Sequence, residues 1–288
     1  MSLPLTGKRA LVTGSSHGVG LAAAHLFAAQ GAEVVLHGNA NMADADKAVQ
    51  DIGPAALGAV QADLSRPGGG RDLYDAALHL ASGRLDIIVN NAGIHPASPL
   101  DASDADWEAV WALTLQVNLM AMADICRAAI PEMAASGGGS IINIASRAGY
   151  RGEDRNHMAY AASKGAVLAL TKTIARQWGA NGIYAYALAP GWIDTRMGPQ
   201  HEADRARAKA EIPIGDLAQP EEIAAMCAFL ASGACRSCAG LSPPSTRPAC
   251  SAASSVVGGR RRMVASAGRS HAASKQPSSS RSLSCSPK

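Results

Sequence analysis

"KRALVTGSSHGVGLAAAHLFAAQG" (8–31) decides the fold. Residues 8–14 are a short apolar run that stops at Gly14. Residues 18–31 read as a helix, with Leu21, Ala24, His25 and Ala28 at helical spacing and Gly31 as the stop. Between them, "TGSSHGVG" sets Gly14, Gly18 and Gly20 where a strand passes into a helix. Glycine there lets the backbone turn tightly and approach a pyrophosphate, whose charge then rests on the helix N-terminus. A glycine-rich turn alone also serves geometry only. The strand–turn–helix context is what makes this one a nucleotide-binding signal.

The same alternation recurs downstream. Residues 32–38, 56–64, 85–93, 139–146 and 182–191 are apolar, strand-length runs, with helical segments between them such as 42–53. Near-continuous apolar strands alternating with helices predict a parallel sheet covered on both faces. The expected fold is α/β, a single-domain, Rossmann-like doubly wound parallel sheet, with ligands outside the carboxyl ends of its strands. The helical pattern at 220–232 is the last that fits, and the seventh strand that should follow it does not.

The chain has 288 residues, 48% hydrophobic and 17% charged, and its net charge of +3 conceals two compositions. Residues 1–233 hold 17 Lys/Arg against all 23 Asp/Glu, whereas 234–288 hold 9 Lys/Arg and no acid. The expected organisation is therefore a dinucleotide-binding catalytic domain over 1–233 and a basic Ser/Pro/Arg-rich tail over 234–288. The tail has too little apolar surface to offset chain entropy and is expected to be disordered. Its loss of acids and its stray cysteines are also what frameshifted GC-rich coding sequence yields. Cys126 and Cys227 read as small buried hydrophobes, and the lone Cys235-x-x-Cys238 is a weak zinc signal. The N-terminus has no charged n-region before its apolar run, and runs such as 141–145 are too short to span a bilayer. A cytoplasmic protein with no membrane partner is expected.

Further cofactor contacts belong at the other strand ends. Around the glycine turn the candidates are Gly14, Ser16, His17, Gly18, Val19 and Gly20. Asp63, followed by Leu64, can accept from an adenine amino group or simply cap the next helix. Asn90, Ala92 and Gly93 of "NNAG" follow the fourth strand and look too polar and small for core. The second strand ends in His37, Gly38 and Asn39, without the acid that binds a ribose 2′-hydroxyl and repels a 2′-phosphate. That counts against a strict NAD preference, yet no arginine for a 2′-phosphate stands there either; the reading leans to NADP over NAD, with His17 expected to lend some positive charge.

Tyr160 and Lys164 lie one helical turn apart in "MAYAASKG" (158–165). A free phenol has a pKa of about 10, and a nearby ammonium lowers it toward the range useful for proton transfer to a carbonyl. The same spacing also arises by chance on helix surfaces.

Taken in order, "TGSSHGVG", "NNAG", Asn118 in "VNLM", Ser146 in "IINIAS", "YAASK" and "APGWIDT" resemble the short-chain dehydrogenase/reductase family over about residues 5–233. The resemblance implies an NAD(P)-dependent oxidoreductase that interconverts a secondary alcohol and a ketone or aldehyde. It implies Tyr160 as acid/base, and Lys164 as the group that lowers its pKa and holds the nicotinamide ribose. Ser146 would hydrogen-bond the substrate oxygen, and Asn118 would anchor a water linking Lys164 to solvent. Pro190, Gly191, Ile193 and Thr195 would cover the nicotinamide. It further implies a homo-oligomer, left incomplete where the final strand is missing. Two rivals stand beside it: an impaired dinucleotide-binding scaffold, and a nucleic-acid-associated protein acting through the basic tail. The tail lacks aromatic residues for base stacking, which weighs against the second.

Overall fold

The computed structural model describes residues 3–40 and 42–240. Six strands, β1 (Arg9–Val12), β2 (Glu33–Gly38), β3 (Ala56–Gln61), β4 (Ile87–Asn90), β5 (Gly139–Ile144) and β6 (Ile183–Leu188), form one sheet. Every neighbouring pair is parallel, in the order β3-β2-β1-β4-β5-β6. The chain therefore reverses its direction of travel across the sheet between β1 and β4, the switch point at which such sheets open a crevice.

Helices cover both faces. They are α1 (Gly18–Ala29), α2 (Ala43–Ile52), α3 (Gly69–Leu80), α4 (Asp104–Leu115), α5 (Ala121–Ala135), α6 (Ala148–Arg151), α7 (Met158–Trp178), α8 (Glu202–Ala210) and α9 (Pro220–Ala231). The period of two along each strand divides the core. Leu11, Val35, Ile88 and Ile141 pack with Leu73, Ile125 and Val167 on one face. Ala10, Val12, Val34, Leu36 and Ile142 pack with Phe27, Ile223 and Cys227 on the other. Cys126 and Cys227 are buried free thiols, both pushed up to about 12 by burial. α9 starts on a capping box between Gln219 and Glu222 with Pro220 at its first turn, which fixes its entry.

α4 and α5 are joined through a π-helical turn, Gln116–Met120. The joined stretch Asp104–Ala135 is long and apolar enough, by length and composition, to cross a bilayer. It is not a continuous apolar run, since it carries Asp106, Glu108, Asp124 and Arg127. In the fold, α5 lays Ile125, Cys126, Ala129 and Met133 against the sheet, which accounts for the apolar composition.

No seventh strand follows α9 among the described residues. Residues 234–240, assigned by composition to the tail, pack beside β6. Cys235 and Cys238 form a disulfide across a 3₁₀ turn, Tyr186 donates to the Cys235 carbonyl at 3.2 Å, and the Gly240 N–H donates to the Ala185 carbonyl at 2.9 Å. The rest of the expected tail, 241–288, including its prolines and basic runs, lies outside the described residues.

Candidate active site

The glycine turn is tied to its neighbours before it meets any ligand. Thr13 Oγ1 accepts the backbone N–H of Asn91 at 2.9 Å and of Ala92 at 3.0 Å, clamping the end of β1 to the end of β4. Gly14 N–H donates to His37 Nδ1 at 2.9 Å, and the His37 ring reaches the Ala62 carbonyl through Nε2 at 3.1 Å. Because Nδ1 accepts, the ring proton is on Nε2, and burial holds the pKa below the ordinary histidine value. Gly18 opens α1 at φ +57, a left-handed conformation that a side chain would strain. A Cβ on Gly20 would run into the Gly14 carbonyl oxygen, so this glycine serves close helix–turn packing. Neither an acid in the first turn of α1 nor a side-chain cap occupies its N-terminal amides. That is a cradle for an anion.

From this turn a cleft of about 530 Å³ runs over the strand ends to Ser146, Tyr160 and Lys164. It is lined by Gly14, Ser16, His17, Gly18, Val19, Asn39, Leu64, Ala92, Gly93, Pro190, Gly191, Ile193 and Thr195, all expected from the sequence. A phosphate cradle at one end and a buried proton donor at the other fit a nicotinamide dinucleotide.

Four expected residues do not line it. Asn90 is buried in the core, where its Nδ2 donates to Asn143 Oδ1 at 2.9 Å; Asn91, one residue on, lines the cleft instead. The last residue of β4 faces its register partner on β5, so the polar "NNAG" stretch is half core. Asp63 is exposed and folds back on Ser65, accepting its N–H at 2.9 Å and its hydroxyl at 2.6 Å, which holds the carboxyl below its usual range. Asn118 is fully buried. Its Oδ1 accepts from Ile94 N at 2.8 Å and its Nδ2 donates to Ile94 O at 3.0 Å and Ser163 Oγ at 3.1 Å. Through these bonds the side chain pins the segment after "NNAG". Gly20 is the fourth, for the packing reason above.

Tyr160 and Lys164 share one face of α7, as their spacing requires. Lys164 Nζ lies 5.6 Å from the centre of the Tyr160 ring and donates to the Ile144 carbonyl at 2.8 Å. Burial pushes Lys164 down to about 8. Burial pushes Tyr160 up, the Ser146 hydroxyl pulls it down, and Glu153 pushes it up again. Ser146 is thus the group whose hydrogen bond pulls the phenol down, with the Lys164 side chain beside the ring. Ser146 is itself held by the N–H of Ala148 at 3.1 Å.

Burial first, then the nearby Arg196, lower the His17 pKa from its ordinary value, while Asp44 raises it.

Several cleft residues were not anticipated. His95 stacks on His157 with ring centres 3.9 Å apart and meets the Tyr160 ring edge-on at 4.4 Å. Burial and the neighbouring His157 push His95 down to about 4. His157 Nδ1 is held by Asp154 at 2.8 Å. Arg147, Glu153 and Trp192 also line the substrate end. The one textual signal was the polar loop "RGEDRNH" (151–157), which supplies Glu153, Asp154 and His157.

A family model described as enoyl-(acyl carrier protein) reductase matches residues 14–242. The cis-4-hydroxycyclohexanecarboxylate dehydrogenase of Sinomonas cyclohexanicum is 40% identical over 228 residues, covering 78% of this chain and 89% of that protein. The 3β-hydroxysteroid dehydrogenase 1 of Eggerthella lenta is 40% identical over 235 residues, covering 79% and 88%. A crystal structure of 3-oxoacyl (acyl-carrier-protein) reductase from Agrobacterium tumefaciens with NADP bound superposes with a TM-score of 0.75 at 32% identity, covering 83% of this chain and 93% of that one. The chain belongs to the short-chain dehydrogenase/reductase family. Its chemistry is NAD(P)-dependent hydride transfer on an alcohol–carbonyl pair.

Proposed function

We propose that Tyr160 is the acid/base of this hydride transfer, that Ser146 orients the reacting oxygen, and that Lys164 supplies the buried positive charge. The observation that carries the assignment is the convergence of these three side chains in one cleft that begins at the glycine turn. A bound nicotinamide dinucleotide supplies the hydride donor or acceptor. In reduction, the Tyr160 hydroxyl, kept protonated by burial, gives its proton to the carbonyl oxygen while the Ser146 hydroxyl hydrogen-bonds the same oxygen. That step leaves a Tyr160 phenolate, which the Lys164 ammonium beside the ring favours; in oxidation the phenolate takes the alcohol's proton and becomes the phenol again. Asn118 acts one step away, holding the Ile94 backbone beside this cluster.

The dinucleotide would lie with its pyrophosphate at the N-terminus of α1, its adenine ribose near Gly38 and Asn39, and its nicotinamide under Pro190, Gly191, Ile193 and Thr195. The end of β2 carries no acid, and His37 is turned into the glycine turn, which favours NADP over NAD. Asp63, outside the main cleft, retains one carboxylate oxygen for an adenine amino group. We further take residues 1–233 as the catalytic domain and the protein as a cytoplasmic homo-oligomer, readings supported by composition and by the family resemblance. The intact Ser146–Tyr160–Lys164 set weighs against a scaffold that only binds dinucleotide. A screen of NADPH and NADH oxidation across carbonyl compounds tests the whole reading. Turnover with NADPH is expected, and absence of both turnover and dinucleotide binding contradicts it.

A further inference from the structure

The proton chemistry leaves Arg147 unused. It follows Ser146 directly, its backbone N–H is fixed to the Pro190 carbonyl at 2.9 Å, and its side chain, only 13% exposed, lines the cleft. The lysine and arginine side chains lining the cleft among the described residues are Lys164 and Arg147, and Lys164 is committed to Ile144.

Resting on the hydride-transfer reading above, we infer that the substrate is an alcohol or ketone that also carries a carboxylate, seated on the Arg147 guanidinium. A guanidinium offers five N–H donors, and among the described residues Nη2 alone meets a protein acceptor, Glu211 at 2.9 Å. The other donors are drawn from water without replacement among the described residues, a cost that an incoming carboxylate removes. Glu211 does not neutralise the pair of arginines around it, because Arg151 shares the same oxygen at 3.4 Å. Trp192 lies under Arg147 at 5.3 Å, which holds the guanidinium plane and its free edge in place.

Glu153 sets the direction. This one carboxylate lining the cleft among the described residues acts on the Tyr160 side, where it raises the phenol pKa, so a substrate carboxylate is repelled from that side and drawn toward Arg147. Ile94, Leu113, Val117 and Met197 also line the cleft and suit an apolar body. The chemical class is therefore a hydroxy or oxo carboxylic acid with a hydrocarbon spacer.

The test uses the full chain with NADP⁺ or NAD⁺ and matched pairs: 3-hydroxybutanoate and 4-hydroxycyclohexanecarboxylate, each against its methyl ester. The acid should be favoured in kcat/KM by about 10- to 100-fold, the range of a charge-assisted hydrogen-bond pair. Arg147→Met should bring that ratio toward one by raising KM for the acid, Arg147→Lys should restore part of it, and Glu153→Gln should increase it. Calorimetric titration of the same compounds into dinucleotide-loaded Tyr160→Phe protein gives the comparison without turnover. Wild-type protein that handles esters as well as acids overturns the inference whatever the variants do, as does an acid preference that survives Arg147→Met. Failure to bind any dinucleotide overturns the hydride-transfer reading itself, whereas binding of dinucleotide without acid preference overturns this inference alone.

Discussion

The backbone N–H of Gly14 donates to Nδ1 of His37 at 2.9 Å, so the glycine turn hangs from a side chain of the next strand. The opposite nitrogen of that ring meets the Ala62 carbonyl just beyond β3 at 3.1 Å. One buried imidazole thus ties together the ends of β1, β2 and β3, the three strands whose ends shape the dinucleotide half of the cleft. The tie requires a neutral ring, because a protonated Nδ1 cannot accept.

His37→Leu should lower stability by about 2 kcal/mol, the cost of leaving a buried donor and acceptor unpaired, and should weaken dinucleotide binding. His37→Asn, whose side-chain oxygen can accept from Gly14, should recover much of both. The pH dependence follows in sign. The folded-state pKa lies below 6.5, so the unfolded chain takes up the proton first. The contribution is complete above 6.5 and is lost as pH falls below that value. Chemical denaturation of the three proteins at several pH values checks this; a Leu variant as stable as wild type, with the same pH profile, would contradict it.

Lys164 acts in the same direction at higher pH. Burial takes its pKa from 10.5 to about 8, so between these values the unfolded chain is charged at this site and the folded chain is not. The stability of the wild type relative to Lys164→Met should therefore rise as pH climbs from 8 to 10.5. The full span is on the order of 3 kcal/mol. A difference that stays flat across the window would mean that Lys164 is solvated.

Gly38 lines the cleft at the end of β2. Gly38→Asp should shift the kcat/KM ratio toward NAD by about tenfold, because a carboxylate there accepts from a 2′-hydroxyl and repels a 2′-phosphate. Unchanged relative KM values for the two dinucleotides would place the adenine ribose elsewhere.

Much of this was legible because it is local. A glycine turn between a strand and a helix, and a tyrosine one turn before a lysine, are visible in a few consecutive residues. Asn90 and Asn91 show where locality ends: adjacent and identical, one turns toward β5 and the other into the cleft, according to the direction in which β4 runs out. Asp63 was read for its charge, but the Ser65 two positions later captures it in a turn. The π-helical turn that buries Asn118 has no sequence signature, since it forms where helices α4 and α5 meet the loop carrying Ile94. His95 and His157 are 62 positions apart and become a stacked pair only after β4 and α7 come together.

The central claim is that the Tyr160 hydroxyl moves the proton. Single-turnover kinetics of Tyr160→Phe, set beside its dinucleotide dissociation constant, test it most directly. The ring and its edge-on contact with His95 are retained in this variant, and only the oxygen is lost. The chemical step should slow by about 10²- to 10⁴-fold or more, with dinucleotide affinity within about threefold of wild type. A Tyr160→Phe protein that keeps most of the wild-type rate would contradict the account.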